Sequence, residues 1–263
     1  MTEPVRRIRT EFELRDLIDS LGRDADLVER DFALVTIAAG LVREYEAALC
    51  FKGGFVLRHV YGHERFSRDI DATRINPPKS KLDSVEVART IKMAGIKNLL
   101  TLNPGAPATD SGNSLDFDQI LYAGPLGRGQ VSVELSYRED IVEPPDIVTI
   151  GEPYFEPFEV PVLQLDEIVS EKLRTLAQRV RPTDLSDIAM ILERETIDYT
   201  RVPRLVAKKF ELVKRGDQRQ RIEGNIAEMA AEYDAAVRAV APDAPSFSEA
   251  SRVVLRHLSK LLP

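Results

Sequence analysis

Two glycines, Gly53-Gly54, followed by an Asp-Ile-Asp triplet at residues 69–71, constrain this chain more than any other feature. Ahead of the glycines, Ala48 to Phe51 is a short apolar run that predicts a buried strand; after them, Phe55 to Tyr61 predicts a helix ended by Gly62. If Arg68 to Arg74 is a strand, side chains two apart project from one face, so Asp69 and Asp71 stand together while Ile70 enters a core. Paired carboxylates beside a glycine turn point to metal-dependent phosphate chemistry. Glycine lets a phosphate approach without a Cβ in the way, and backbone N–H groups at a helix start form an anion site. The same pair equally suits a plain strand-to-helix turn, and neither GxGxxG nor GxxxxGK[ST] is present.

With 263 residues, 43% of them apolar and 30% charged, the chain holds one large or two moderate soluble domains. Cys50 is the single cysteine, which excludes an internal disulfide or a cysteine-rich zinc site and suits a small packed residue. The first residues, MTEPVRRIRTEFELRD, are polar, and no apolar run approaches membrane-spanning length, so a cytoplasmic protein with no membrane partner is expected. The formal charge of -7 argues against a uniformly basic nucleic-acid binder. Lys172 to Arg221 nevertheless holds 13 Lys and Arg against 7 Asp and Glu, either solvated helix faces or a dock for a polyanion.

Helices are expected at Glu11 to Leu21 and Leu27 to Glu46, the second started by Asp24 or Asp26. Pro77-Pro78 breaks the chain before a helix from Lys79 to Ala94, closed by Gly95. Strands are expected at Lys97 to Leu102, Leu115 to Tyr122 and Gln130 to Tyr137, the last two joined as a hairpin through Gly124 to Gly129. The proline-dense stretch Glu143 to Pro161 reads as a connector or edge strands. Beyond it, Asp166 to Val180, Asp184 to Glu195, Val202 to Arg215, Gln218 to Val240 and Ser248 to Leu262 all read as helices. An α/β front half thus precedes an all-helical back half.

Lys172 lies at the edge of an apolar stripe, where a lysine usually snorkels to water but can also reach a triphosphate. Asp184 reads most simply as an N-cap, and Asp187, on the same helix face, is placed to orient Lys172, an arginine or a substrate group. Glu134 shares a strand face with Ser132 and Ser136; it is solvent-side polarity or a third carboxylate beside Asp69 and Asp71, a post for which Asp116 and Asp118 compete. His59 and His63 are spaced for a zinc motif but lack the glutamate of HExxH.

Together these residues resemble the AbiEii/MenT family of nucleotidyltransferase toxins, within the DNA polymerase β-like superfamily. The likeness runs from about Leu27 to Ile188 through Leu27 to Phe32, Phe51-Lys-Gly-Gly54, Arg65-Phe-Ser67, Asp69-Ile-Asp71, Glu171-Lys-Leu173 with Leu176 and Arg179, and Asp184-Leu-Ser-Asp187. Thr183 replaces an arginine of the family pattern and Ser186 a frequent tyrosine. The resemblance implies an α+β fold: a mixed β-sheet flanked by helices over residues 1–160, then a helical bundle over 161–263 that contributes Lys172 and Asp184/Asp187 to the cleft. It implies transfer of a nucleoside monophosphate from an NTP to the 3′ acceptor end of tRNA, blocking translation, with an AbiEi-type antitoxin as partner. On that pattern Asp69, Asp71 and Glu134 hold two Mg²⁺ ions. Gly53, Gly54, Arg65, Ser67, Lys172 and Arg179 bind nucleotide, and Asp184 and Asp187 position Lys172 or the acceptor. A small-molecule hydroxyl as acceptor and a non-catalytic nucleotide-binding module are the alternatives.

Overall fold

The computed structural model describes residues 4–97, 99–213 and 216–263. The chain divides into two compact units, one reaching Ile141 and including Pro145–Val162, the other comprising Val142–Pro144 and Leu163–Pro263.

The first unit opens with α1 (Glu11–Leu21), whose Thr10 and Glu13 form a reciprocal capping box. Next comes α2 (Ala25–Tyr45), capped by Asp24. Apolar residues surround α2 nearly completely, as befits a central helix, and Val28 to Val42 is buried except for Arg30. A strand β1 (Leu49–Lys52) turns directly into the short helix α3 (Gly53–His59). After β2 (Asp69–Arg74), α4 (Ser84–Ile96) starts five residues later than the sequence suggests, because Asp83 accepts from Val85 N and Glu86 N and fixes the N-terminus there. Gly95 does not close that helix. It lies within the last turn, where a Cβ would come within 2.7 Å of Leu102 Cγ and 2.8 Å of Leu100 O.

Strands β3 (Thr101–Asn103), β4 (Thr109–Asp110), β5 (Ser114–Ala123), β6 (Arg128–Ser136), β7 (Asp146–Ile150) and β8 (Phe158–Val162) complete one mixed sheet. Its order is β3-β5-β6-β2-β1-β8-β7, with β4 on β5. Pairs β2/β6 and β1/β8 are parallel. Of the two strands within the proline-dense stretch, β7 is the edge, while β8 lies inside it against β1. The β5–β6 hairpin turn is held by a residue far away in sequence: Glu29 of α2, 1% exposed, accepts from Leu126 N at 2.9 Å.

Helices α2 and α4 pack on one face of the sheet. That face carries Ile70, Val131, Val133, Leu115, Phe117, Ile120, Tyr122 and Leu102, all buried. The opposite face carries Asp69, Asp71, Glu134, Ser132, Gln130, Asp116, Leu121, Thr101 and Asn103, half-buried or exposed. A β-bulge in β5 between Phe117 and Ile120 keeps Phe117 and Ile120 on the buried side.

The second unit is helical: α5 (Leu165–Leu176), α6 (Pro182–Arg194), α7 (Val202–Phe210), α8 (Gln218–Glu228), α9 (Tyr233–Arg238) and α10 (Phe247–Leu261). The long helix expected over 218–240 is broken by a 3₁₀ turn at Met229–Ala231 and a bend at Glu232, which turns α9 so that Tyr233 is fully buried. Lys214 and Arg215, at the end of the helix read from Val202, lie outside the described residues. Between α5 and α7, Lys209 reaches Glu167 at 2.6 Å and Glu171 at 2.9 Å while 3% of its side chain is exposed.

Candidate active site

Asp69 and Asp71 stand on one half-exposed face of β2, with the fully buried Ile70 between them on the other. Their neighbours come from the turn into α3 and the loop before β2. Gly53 has φ +71°, and a Cβ built on it would lie 2.5 Å from Asp71 Oδ2. Only glycine accommodates both the left-handed backbone and the carboxylate. A Cβ on Gly54 would meet the Arg65 guanidinium, with Cζ at 3.0 Å, and Ser67 Oγ at 3.1 Å. The Ser67 hydroxyl donates to Asp69 Oδ1 at 2.8 Å, which fixes the rotamer of that carboxylate. Six residues proposed from sequence, Gly53, Gly54, Arg65, Ser67, Asp69 and Asp71, therefore meet in one place. Helix α3 has only seven residues, so its dipole is small; the buried Arg65 beside Gly54 supplies the stronger positive charge for an anion.

Register extends the group across four strands. Lys52 of β1 faces Asp71 of β2, Asp71 faces Glu134 of β6, and Glu134 faces Asp116 of β5. Lys52 is ion-paired with Glu139, and both are buried. Neither member of that pair has a role legible in the sequence beyond the position of Lys52 immediately before Gly53. Burial raises the Glu134 carboxyl, with Lys52 opposing the shift and Asp116 and Glu139 adding to it. Asp116 accepts from Ser114 Oγ at 3.0 Å through Oδ2, while its buried Oδ1 has no hydrogen-bond partner among the described residues. Asp118 falls inside the bulge and is exposed, off this row.

Among the described residues no three His, Cys, Asp or Glu side chains converge into a ready-made metal cage. Mg²⁺ does not require one, since it takes one or two carboxylates and completes its shell with water and substrate phosphate. Two adjacent aspartates, a row of further carboxylates with raised Glu134 and orphaned Asp116 Oδ1, and all-oxygen donors fit such an ion.

His59 and His63 do not share a helix face, because α3 ends at His59 with Val60 as C-cap. His59 instead lies 3.2 Å from Asp31, which also accepts from Arg58 Nε at 2.9 Å and from Tyr154 OH at 2.9 Å. Burial opposes the charge on Asp31, but His59 and Arg58 more than offset it and hold the carboxyl below its ordinary value. That network secures the far end of α3.

In the helical unit, Lys172 does not snorkel. It is 7% exposed and donates to Asp187 at 2.6 Å and Asp184 at 3.3 Å. Asp184 is not the N-cap either: α6 begins at Pro182 after Arg181, and Asp184 sits in its first turn, 4% exposed. Thr175 Oγ1 at 3.2 Å and Arg179 Nη2 at 3.3 Å also donate to Asp184. Burial pushes the Asp184 carboxyl up, yet Lys172, Arg179 and Arg181 outweigh it and leave the value lowered. Arg179 thus provides the local cation that Thr183 cannot. Beneath Ser186, the buried Tyr233 of α9 has its hydroxyl pushed up to about 12 by burial.

The family model described as "Nucleotidyl transferase AbiEii toxin, Type IV TA system" matches residues 39–255. The chain belongs to the AbiEii nucleotidyltransferase toxin family. No curated protein matches the sequence. Among solved structures, the nucleotidyltransferase toxin MenT4 of Mycobacterium tuberculosis H37Rv is similar over 97% of this chain and 90% of its own, with 21% identity and a TM-score of 0.70. JHP933 of Helicobacter pylori is similar over 90% and 93%, with 16% identity and a TM-score of 0.62. The mixed α/β fold is therefore that of the nucleotidyltransferase toxins. Toxins of this type IV family imply an antitoxin partner and an NTP substrate. No helix among the described residues is long and apolar enough to cross a membrane.

Proposed function

We propose that this AbiEii-family chain transfers a nucleoside monophosphate from an NTP to the 3′ terminal hydroxyl of tRNA, and so stops translation. One observation supports the nucleotidyl-transfer step above all: Gly53 lies against the Asp71 carboxylate, and Gly54 against Arg65 and Ser67, so phosphate-binding and carboxylate groups share one small surface. Asp69 and Asp71, with Glu134 as third carboxylate, would hold Mg²⁺, which when bound supplies charge neutralisation for the triphosphate and lowers the pKa of an attacking hydroxyl. Gly53 and Gly54 admit the phosphate oxygens, and Arg65 balances their charge. Ser67 holds Asp69 in its rotamer. Where Glu134 is not a ligand, it is instead the base that accepts the proton of the acceptor hydroxyl. The acceptor oxygen forms a bond to the α-phosphorus, the α–β bridging P–O bond breaks, and pyrophosphate carries away the electron pair. In the helical unit, Asp184 and Asp187 hold Lys172 as a fixed positive centre.

Incubation with each labelled NTP, Mg²⁺, total RNA and an extract of small metabolites tests this reading. Label is expected in tRNA and absent with Asp71→Ala. Label confined to small solutes would replace the acceptor, and no label in any fraction would leave only nucleotide binding.

A further inference from the structure

The open face of the sheet does not end at the carboxylates. Beyond Glu134 on β6 the same face continues through Ser132 and Gln130 to Arg128, since residues two apart share a side. Gln130 registers with Leu121 of β5, and Leu121 with Asn103 of β3; Arg128 registers with Ala123, and Ala123 with Thr101. These residues line a groove of about 480 Å³, the size of a small-molecule site, and Leu121 remains 52% exposed in it. The groove begins four residues from Glu134, about 13 Å along the strand.

Chemistry changes along that path. Asp69, Asp71, Glu134 and Asp116 make the near end acidic, a region a phosphate backbone enters only where a cation compensates. From Gln130 onward the groove lining carries no acid: it has amides at Gln130 and Asn103, a hydroxyl at Thr101, an apolar floor at Leu121 and Ala123, and a cation, Arg128, at the far end. An apolar floor flanked by amide donors and acceptors and an arginine suits unpaired nucleotides: base faces pack on Leu121 or stack on the Arg128 guanidinium, base edges hydrogen-bond to the amides, and a phosphate finds its counter-charge.

Direction supports the same occupant. In an in-line displacement the acceptor oxygen enters opposite the departing pyrophosphate. Gly53, Gly54 and Arg65 place the phosphates on the β1 side of β2, so the acceptor comes from the β6 side, where the groove lies. We propose that the groove formed by Thr101, Asn103, Leu121, Arg128 and Gln130 holds the unpaired nucleotides that precede the reactive 3′ end of an RNA acceptor. This rests on the reading of Asp69 and Asp71 as the nucleotidyl-transfer centre.

The test measures binding of a short fluorescein-labelled single-stranded RNA ending in CCA to the full chain, in the presence of Mg²⁺ and a non-hydrolysable NTP analogue. Leu121→Glu, which sets a negative charge on the platform, and the double variant Asn103→Ala/Gln130→Ala are each expected to bind this RNA about tenfold more weakly, the loss of roughly one stacked base. A blunt RNA duplex is expected to bind less tightly than the single strand. RNA affinity within about twofold of wild type in both variants would overturn the proposal, as would wild type that binds no single strand. Affinity for the NTP analogue, measured without RNA, and label transfer by wild type report separately on the catalytic reading, so the groove and the transfer centre fail independently.

Discussion

Gly53 carries two constraints at once, a left-handed backbone and a carboxylate 2.5 Å from where a Cβ would be. Gly53→Ala should cost about 1–2 kcal/mol for the backbone alone and displace Asp71. The expected result is about tenfold or greater loss of affinity for Mg²⁺ and the NTP analogue by calorimetry, with the far-UV spectrum unchanged. Gly54 differs, because its neighbours are Arg65 and Ser67 rather than the Asp71 carboxylate. At this scale the sequence was informative wherever a residue's role follows from its own chain neighbours: the Asp69, Ile70, Asp71 alternation and the Gly53 turn are local facts. It was uninformative for Lys52, Glu139 and Asp116, whose place depends on which strands pair. From sequence Asp184 reads as a cap because a carboxylate near a helix start has two uses, and only the approach of Lys172 from another helix selects between them.

Among elements, the joint between α5 and α7 depends on a buried lysine. Lys209 bridges Glu167 and Glu171, and Glu167 also accepts from Val142 N at 2.9 Å and Glu143 N at 3.1 Å. Replacing Lys209 by Met leaves these acids without their cation and should cost about 3–5 kcal/mol, read from the urea midpoint. Burial lowers the Lys209 ammonium value, but Glu171 and Glu167 raise it further, so the folded value lies above the ordinary one. The contribution of this lysine is therefore complete below about pH 10.4 and is lost as pH rises through the folded value; the gap between wild type and variant should stay constant near neutrality and close only in strong alkali. Element boundaries were less legible than element types. The start of α4 moved to Asp83, and residues 218–240 broke at Met229, because capping and the burial of Tyr233 decide these points rather than periodicity.

For the molecule as a whole, the basic composition of residues 172–221 is misleading. Lys172 and Arg179 are paired with Asp184 or Asp187, Lys209 with Glu167 and Glu171, Arg201 and Arg204 with Glu143, Lys208 with Glu211 and Arg219 with Glu223. Glu143, Glu167, Glu171 and Glu223 lie outside the counted window, so acids that a linear count excludes offset much of the local surplus. RNA affinity should accordingly fall only gently with salt, and Arg219→Ala should change it by less than about twofold, in contrast to the groove variants, when all are titrated against the same single strand. The division into a sheet-bearing and a helical unit emerges from chain text that alternates strand and helix signals before about residue 160 and carries only helix signals after it.

The irregularity in β5 between Phe117 and Ile120 has a wider meaning for the carboxylate-bearing face. It reverses parity along a single strand: odd-numbered residues are inward before it and even-numbered ones after. Ten consecutive residues can thereby lend an acid at Asp116 and a greasy shelf at Leu121 to the same wall. With unbroken alternation Leu121 would turn to the helices and Tyr122 outward, so a relative lacking that extra residue would need to rewrite the remainder of the strand to keep a comparable acceptor path.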